Sequence, residues 1–270
     1  MRAILVSVDY ADLLSVSLYY NRHHFESVTV VTMPGSDDGR VAREAGADVF
    51  ETTAFHDDGA AFNKWKALEQ GLDRMGRYGW LCVMDADVLW PENVTVLPMG
   101  VNEYLEVGFG GALTKLHIGQ LCTPKRRMCE DLGYGIPDEI TWDNFPLHRQ
   151  QQEFAGYSQI FHASDPHLGP PPWHQVDWRH AGGADSFFQA RWPDSAKVRP
   201  PFEVLHLGPA GQNWWGRATP YIDGTVPEDA AAKAELTRRI WVGRAERRAQ
   251  GLDPFEPERT GSLDGGPRIG

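Results

Sequence analysis

Asp85 and Asp87, separated only by Ala86, follow the apolar run Trp80-Leu81-Cys82-Val83-Met84 and precede Val88-Leu89-Trp90-Pro91. Leu81 to Met84 is too short for a helix and reads as a buried strand. In an extended segment residues i and i+2 point the same way, so both carboxylates reach one point in space. Two converging carboxylates repel unless a cation or a proton lies between them. A hard divalent cation that keeps positions open for phosphate oxygens is the natural occupant. An isolated Asp-x-Asp is a weak motif that more often just begins a loop, so its meaning depends on the rest of the chain.

Other residues in the chain carry chemistry of their own. Asp185 follows Gly182-Gly183-Ala184. The two glycines let a substrate approach the backbone closely, while Asp185 also stands where a helix N-cap is expected. His206 is embedded in the apolar stretch Val204 to Gly208, as either a core histidine or a ligand. Trp173, His174, Asp177 and Trp178 precede the Gly-Gly motif, and Trp214 and Trp215 follow His206. Aromatic faces in such loops suit stacking on a sugar or a base, which makes Trp173, Trp178 and Trp214 candidate acceptor-binding residues. Arg217 is placed to contact a phosphate as a loop closes. Cys122 and Cys129, with His117 nearby, lack the spacing of a compact zinc finger, so free thiols are the expectation.

Alternating strands and helices must position these groups. Ala3 to Val8 reads as a first buried strand, with Asp9 and Tyr10 just past its end. Leu13 to Tyr20 is an amphipathic helix, and Val28 to Thr32 a β-branched strand closed by the turn Met33-Pro34-Gly35. A short helix over Asp38 to Ala45 and a strand over Asp48 to Glu51 follow. Phe62, Trp65, Leu68, Leu72 and Met75 recur at helical spacing across Ala61 to Met75. This alternation predicts an open, mostly parallel α/β sheet, which binds ligands outside the C-terminal ends of its strands. Asp9, Tyr10, Asp85 and Asp87 share that edge.

Beyond Pro98 the texture changes. Gly108 to Leu113 is a candidate strand with a close backbone approach, and residues 117–150 are irregular. Phe154 to His162 resumes the sheet, Pro166 to Pro172 is a loop, and Ser186 to Arg191 is a short helix. Val204 to Gly208 is a last strand and Pro227 to Ala249 a long helix, with Glu228 and Asp229 near its start and Arg244, Arg247 and Arg248 near its end. The Gly- and Pro-rich stretch from Gly251 to Gly270 is expected to be weakly ordered.

The chain has 270 residues, 41% hydrophobic and 23% charged, with a net charge of -11. These are globular values, and the acidity disfavours broad polyanion binding. Its three cysteines make no even disulfide framework, consistent with reduced thiols. Met1 to Val8 lacks the length of a signal-peptide core, and no apolar run approaches the roughly 18 residues of a membrane span. A cytoplasmic protein is the expectation.

Four stretches taken in order resemble a metal-dependent glycosyltransferase of the GT-A fold: Phe62-Asn63-Lys64-Trp65-Lys66-Ala67-Leu68, Met84-Asp85-Ala86-Asp87, Ala181-Gly182-Gly183-Ala184-Asp185-Ser186-Phe187-Phe188 and His206-Leu207-Gly208-Pro209. The pattern is family-2-like, with a Gly-Gly-x-Asp segment of the galactosyltransferase type. The resemblance covers roughly residues 1–217. It implies a Rossmann-like, mostly parallel central sheet flanked by helices, with a catalytic domain over 1–226 (a nucleotide-binding half, 1–98, and an acceptor-binding half, 99–226). A C-terminal helix over 227–250 and a flexible tail over 251–270 complete the expected organisation.

In that family the Asp-x-Asp pair anchors Mn²⁺ or Mg²⁺ on the diphosphate of a nucleotide sugar. Carried over, Asp87 is a direct ligand, Asp85 contacts the metal or the ribose, and His206 supplies a further ligand. An imidazole in the set favours Mn²⁺ over Mg²⁺. Asp185 takes the place of the general base in inverting relatives. Ala184 departs from the acidic residue common before it, and retaining relatives have a similar Gly-Gly stretch. Asp9, Tyr10, Asn63, Lys64, Asp85, Gly183 and Arg217 are the expected donor-binding residues, with a UDP-sugar as donor. The alternative reading is a nucleotidyltransferase or a metal-dependent phosphohydrolase acting on nucleotides. A non-catalytic carbohydrate-binding module is a third, suggested by the tryptophans. The acceptor hydroxyl is left open between a saccharide, a protein and a hydroxylated DNA base. DNA would use Lys125-Arg126-Arg127 and the Arg-rich late helix, but the overall acidity disfavours it.

Overall fold

Continuous apolar runs in the first strands require cover on both faces of their sheet. The computed structural model describes residues 1–100, 103–129, 140, 142, 145, 147, 154, 156–208 and 211–255, and has that arrangement. In chain order the first half contains β1 (Arg2–Val6), α1 (Ala11–Asn21), β2 (Ser27–Thr32), α2 (Asp37–Glu44), β3 (Asp48–Glu51), α3 (Lys64–Met75), β4 (Trp80–Asp85) and β5 (Val88–Leu89). There follow β6 (Thr95–Met99), β7 (Tyr104–Phe109), β8 (Ala112–His117), β9 (Leu121–Cys122), β10 (Lys125–Cys129), β11 (Ser158–His162), α4 (Ala184–Gln189), β12 (Lys197–Val198), β13 (Glu203–Leu207) and α5 (Ala230–Ala249).

Among the described residues the main sheet has the order β12-β9-β11-β4-β1-β2-β3. Strands β3, β2, β1 and β4 are parallel neighbours, and β11 runs antiparallel to β4. The expected open, mostly parallel sheet with a C-terminal helix is what the chain forms. Ala3, Leu5, Cys82 and Met84 face one apolar cluster with Leu14 and Leu18 of α1. Ile4, Val6, Leu81 and Val83 face the other, with Trp65, Leu68 and Leu72 of α3. Gly71 lets α3 lie close on the sheet, because a Cβ there would come within 2.4 Å of Val31.

The register fixes the functional edge. Val6 pairs with Asp85, so the end of β1 and the end of β4 are level. Because β11 is antiparallel, its beginning lies at that same edge, with Ser158 opposite Met84. A small sheet, β10-β13-β5, stands beside it, and His206 of β13 pairs with Val88 of β5.

Several expected elements differ. Gly108 to Leu113 is no single strand: Gly110 and Gly111, both at positive φ, turn the hairpin between β7 and β8. Residues 117–150 contain the strands β9 and β10, and much of the remainder lies outside the described residues, as do Pro209 and the tail from 256 onward. Asp85 ends its strand and residues 86–87 form a turn, so the two aspartates converge through that turn rather than through strand alternation. No helix among the described residues is long and apolar enough to cross a membrane.

Candidate active site

Two backbone hydrogen bonds fix the Asp85–Asp87 turn. The Asp85 amide donates to the Tyr157 carbonyl at 3.0 Å, and the Leu207 amide donates to the Asp87 carbonyl at 2.8 Å. The second bond places Asp87 beside β13, whose His206 Nε2 is 3.8 Å from Asp87 Oδ1. His206 Nδ1 lies 3.2 Å from the Gly208 carbonyl. A proton at Nδ1 donating to that oxygen leaves the Nε2 lone pair facing Asp87, the arrangement of a ligating histidine. One atom each of Asp85, Asp87 and His206 lie within 4.8 Å of one another. Two ligand oxygens on opposite sides of a Mg²⁺ ion are roughly 4.2 Å apart, so a shift of a few tenths of an ångström brings this group to the spacing that holds a single small dication. Burial pushes the Asp87 carboxyl above the usual carboxylate range; His206 acts against that and Asp85 adds to it.

Lys64, the first residue of α3, reaches this cluster and pairs with Asp85. Its ammonium also lies 4.9 Å from the Trp65 ring. Asp9 and Tyr10 sit at the same edge, and Asp38, which sequence reasoning passed over, holds them there. Its buried carboxylate accepts from Ser7 Oγ at 2.5 Å and from the Asp9 and Tyr10 amides at 3.0 Å each. Asp9 has φ of 61°, a left-handed backbone state that this bonding sustains. Burial raises the Tyr10 hydroxyl well above its ordinary value, and the Asp87 charge adds to the effect. Tyr10 is therefore a neutral donor within electrostatic reach of the acidic cluster.

Asp185 lies in the first turn of α4, whose N-cap is Gly183. The carboxylate caps nothing on its own helix. Its Oδ2 accepts the Gly156 amide at 2.8 Å, so one oxygen is anchored. Gly156 is thus a second residue that sequence reasoning missed; no local pattern marks it. Its neighbour Tyr157 is the residue that receives the Asp85 amide. Asp185 and Asp85 are therefore tied to consecutive residues, whose Cα atoms are about 3.8 Å apart. Trp65 binds the two parts together, donating from Nε1 to the Ala181 carbonyl at 2.9 Å.

Comparison with known proteins gives the following. No family model matches the sequence. No curated protein matches it either. Among solved structures, mannosyl-3-phosphoglycerate synthase from Rubrobacter xylanophilus is 15% identical over 93% of this chain and 75% of its own, with a TM-score of 0.42. A mycobacterial protein is 13% identical over 93% and 74%, with a TM-score of 0.47. Glucosyl-3-phosphoglycerate synthase from Mycobacterium tuberculosis, in complex with phosphoglyceric acid, is 13% identical over 93% and 80%, with a TM-score of 0.44.

Several expected site residues are committed elsewhere. Arg217 is 1% exposed. It pairs with both carboxylate oxygens of Asp12 and donates to the carbonyls of Asp9, Thr219 and Pro220. These bonds occupy all five guanidinium hydrogens, leaving none for a phosphate. Asn63 caps α3: its Oδ1 accepts the Lys66 amide at 3.0 Å and its Nδ2 donates to the Val176 carbonyl at 2.7 Å. It thereby ties the Trp173 to Trp178 loop to α3.

The tryptophans also pack. Trp173 is buried against Phe161, and its amide donates to Glu69. Trp178 is fully buried and bonded to Gln175. Trp214 lies on Gly182, where a Cβ would come within 2.2 Å of the indole, and meets Trp241 at 4.8 Å. Trp173 and Trp178 are thus buried, while Trp214 is half-buried. Gly183 is required by its φ of 99° and by Arg244, whose Nη2 would be 2.5 Å from an added Cβ. That crowding is by protein rather than by donor.

Part of the expected basic patch is paired within the chain. Arg127 pairs with Glu203 at 2.5 Å, and Arg126 lies 4.6 Å from the Tyr157 ring. On the late helix, Arg238 and Arg239 both pair with Glu235.

Proposed function

We propose that this chain is a GT-A-type glycosyltransferase that moves a sugar from a nucleotide-sugar donor, a UDP-sugar, to an acceptor hydroxyl. The observation that carries the reading is the Gly156–Tyr157 pair, which holds Asp185 on one side and Asp85 on the other. It supports one carboxylate for the acceptor and, close by in the fold, a second group of acidic residues for a dication on the donor diphosphate. Asp85, Asp87 and His206 would hold Mn²⁺ or Mg²⁺, and a bound dication neutralises charge on the leaving diphosphate. Lys64 stands at the same edge as a further cation for that charge, and Tyr10 as a neutral hydrogen-bond donor and ring face for the base.

The free Oδ1 of Asp185 takes the proton of the acceptor hydroxyl as that oxygen attacks the anomeric carbon. The bond from that carbon to the diphosphate oxygen breaks, with its electron pair leaving on the diphosphate. The configuration inverts. In this reading residues 1–98 serve the donor and 99–226 the acceptor, with His206 reaching back from the second half, in a cytoplasmic protein.

Calorimetry with UDP and Mn²⁺, followed by product analysis with a panel of UDP-sugars, tests the proposal. Wild-type protein is expected to bind UDP only with the metal and to release free UDP from a UDP-sugar, while Asp87→Ala does neither. Release of pyrophosphate or inorganic phosphate would instead favour nucleotidyl transfer or phosphohydrolysis. Full UDP binding and turnover by Asp87→Ala would refute the assignment.

A further inference from the structure

The C-terminal helix is joined to the Gly-Gly motif by a buried cation. Along α5, Lys233 donates to the Arg217 carbonyl at 3.4 Å, Thr237 Oγ1 to the Gln212 carbonyl at 3.1 Å, and Trp241 Nε1 to the Gly211 carbonyl at 3.3 Å. These residues, with Arg244, recur at intervals of three and four and form one face of the helix. That face grips the segment that follows His206.

Arg244 goes further in. It is 5% exposed although it sits near the end of a polar helix. Its guanidinium lies 4.5 Å from the Trp214 ring and 4.5 Å from the Phe255 ring. Its Nη2 is 3.5 Å from the Gly182 carbonyl oxygen. A buried guanidinium is costly unless its charge is answered, and aromatic faces together with a carbonyl dipole are among the groups that answer it here. The Gly182 amide is held as well, donating to His180 Nδ1 at 3.1 Å. That bond needs a neutral imidazole, and burial, with the Arg244 charge behind it, pushes His180 down to about 3. Both polar groups of Gly182 are thus fixed, one residue before the N-cap of α4 and three before Asp185.

We infer that α5 belongs to the acceptor side of the site and that Arg244 is a positioning residue: by holding Gly182 and Gly183 it sets the first turn of α4 and so the place of Asp185. The inference rests on the reading of Asp185 given above. It does not require Arg244 to touch a substrate.

Arg244→Met and Arg244→Lys in the full chain test it by three measurements. Hydrogen exchange of the amides between Gly182 and Phe188 is expected to speed up at least tenfold in Arg244→Met. UDP affinity with Mn²⁺ is expected to stay within twofold of wild type. The kcat for release of UDP from the best UDP-sugar is expected to fall at least tenfold with KM unchanged. Should Arg244→Met yield no folded protein, Arg244→Lys, which keeps the charge and loses the planar stack, carries the same expectations. Unchanged exchange over Gly182 to Phe188 overturns the inference, and so does unchanged kcat in a variant whose exchange has risen. Loss of UDP affinity equal to the loss of kcat also overturns it, because that would mark general disruption. The exchange measurement needs no substrate. If wild-type protein fails to bind UDP, the donor reading falls and exchange alone decides the place of α5.

Discussion

Removal of Asp12 separates a structural role for Arg217 from a phosphate-binding one. The Arg217 guanidinium is buried, and Asp12 supplies the formal negative charge among the acceptors named above; the others are the carbonyls of Asp9, Thr219 and Pro220. Asp12→Ala leaves that cation facing carbonyl dipoles and the Tyr10 and Tyr221 rings, with its directly bonded carboxylate gone, and also strips the Ile222 amide of its acceptor. Breaking a buried pair costs about 3–5 kcal/mol. The Asp12 side chain is 21% exposed, so water relieves part of the loss and the lower end, about 3 kcal/mol, applies. For a chain of this size that corresponds to a fall in Tm of roughly 6–12 °C. Thermal melting followed by circular dichroism reads it. Replacing both partners by apolar residues is often neutral, so Asp12→Ala/Arg217→Met is expected to melt no lower than Asp12→Ala. A Tm for Asp12→Ala within about 1 °C of wild type would refute the argument. An Arg217→Met variant that keeps its Tm but loses UDP affinity would restore the phosphate role.

Two further predictions follow from the site and the core. Asp185→Asn keeps the Gly156 hydrogen bond and removes the base, so UDP binding stays within twofold while transfer falls by about 10²–10⁴; loss of UDP binding would contradict the role. Glu69 is a pH test of stability. Burial alone would raise its carboxyl, but bonding to His174 and the charge of Arg77 outweigh that and hold it at about 2. The folded-state value lies below the unfolded one, so its contribution is complete above the ordinary glutamate range and is lost as pH falls from there toward about 2. Urea melts should show Glu69→Gln less stable than wild type at pH 7, with the gap closing toward pH 2. A gap independent of pH would contradict this.

The parallel half of the fold was readable because β1 and β4 are almost wholly apolar runs, β2 is rich in β-branched residues and α3 has one apolar stripe. Val28 to Thr32 and Asp48 to Glu51 fall where expected, and α3 begins only three residues later than its periodicity suggests. Asp85, Asp87 and His206 were legible as a group since two of them flank a strand end and the third interrupts another strand. Asp38, Gly156 and Arg244 were not. Each acts through a backbone group distant in sequence, and nothing local in composition marks a carboxylate that binds two amides 28 and 29 residues away. The packing of the tryptophans was not legible for a related reason. An indole that stacks on a sugar and one that packs on Gly182 or meets Phe161 edge-on have the same local context; only the packing separates them. The same holds for Arg217 and for Arg127, whose partners come from other parts of the chain.

The Arg217–Asp12 pair also bears on the order in which the molecule is built. Its hydrogen bonds span 205 residues, and the bond from Ile222 to Asp12 spans 210. Contacts of such separation must wait for loop closure and form late. During synthesis β1, β2 and β4 are free to pair while the loop carrying Asp9 and Tyr10 still lacks its guanidinium. The edge that carries Asp9 and Tyr10 is therefore completed after the sheet beneath it, once residue 222 has emerged. A nascent chain stalled between residues 207 and 217 carries Asp85, Asp87 and His206 but lacks the Arg217 bond to the Asp9 carbonyl, which leaves the loop of Asp9 and Tyr10 without its final shape.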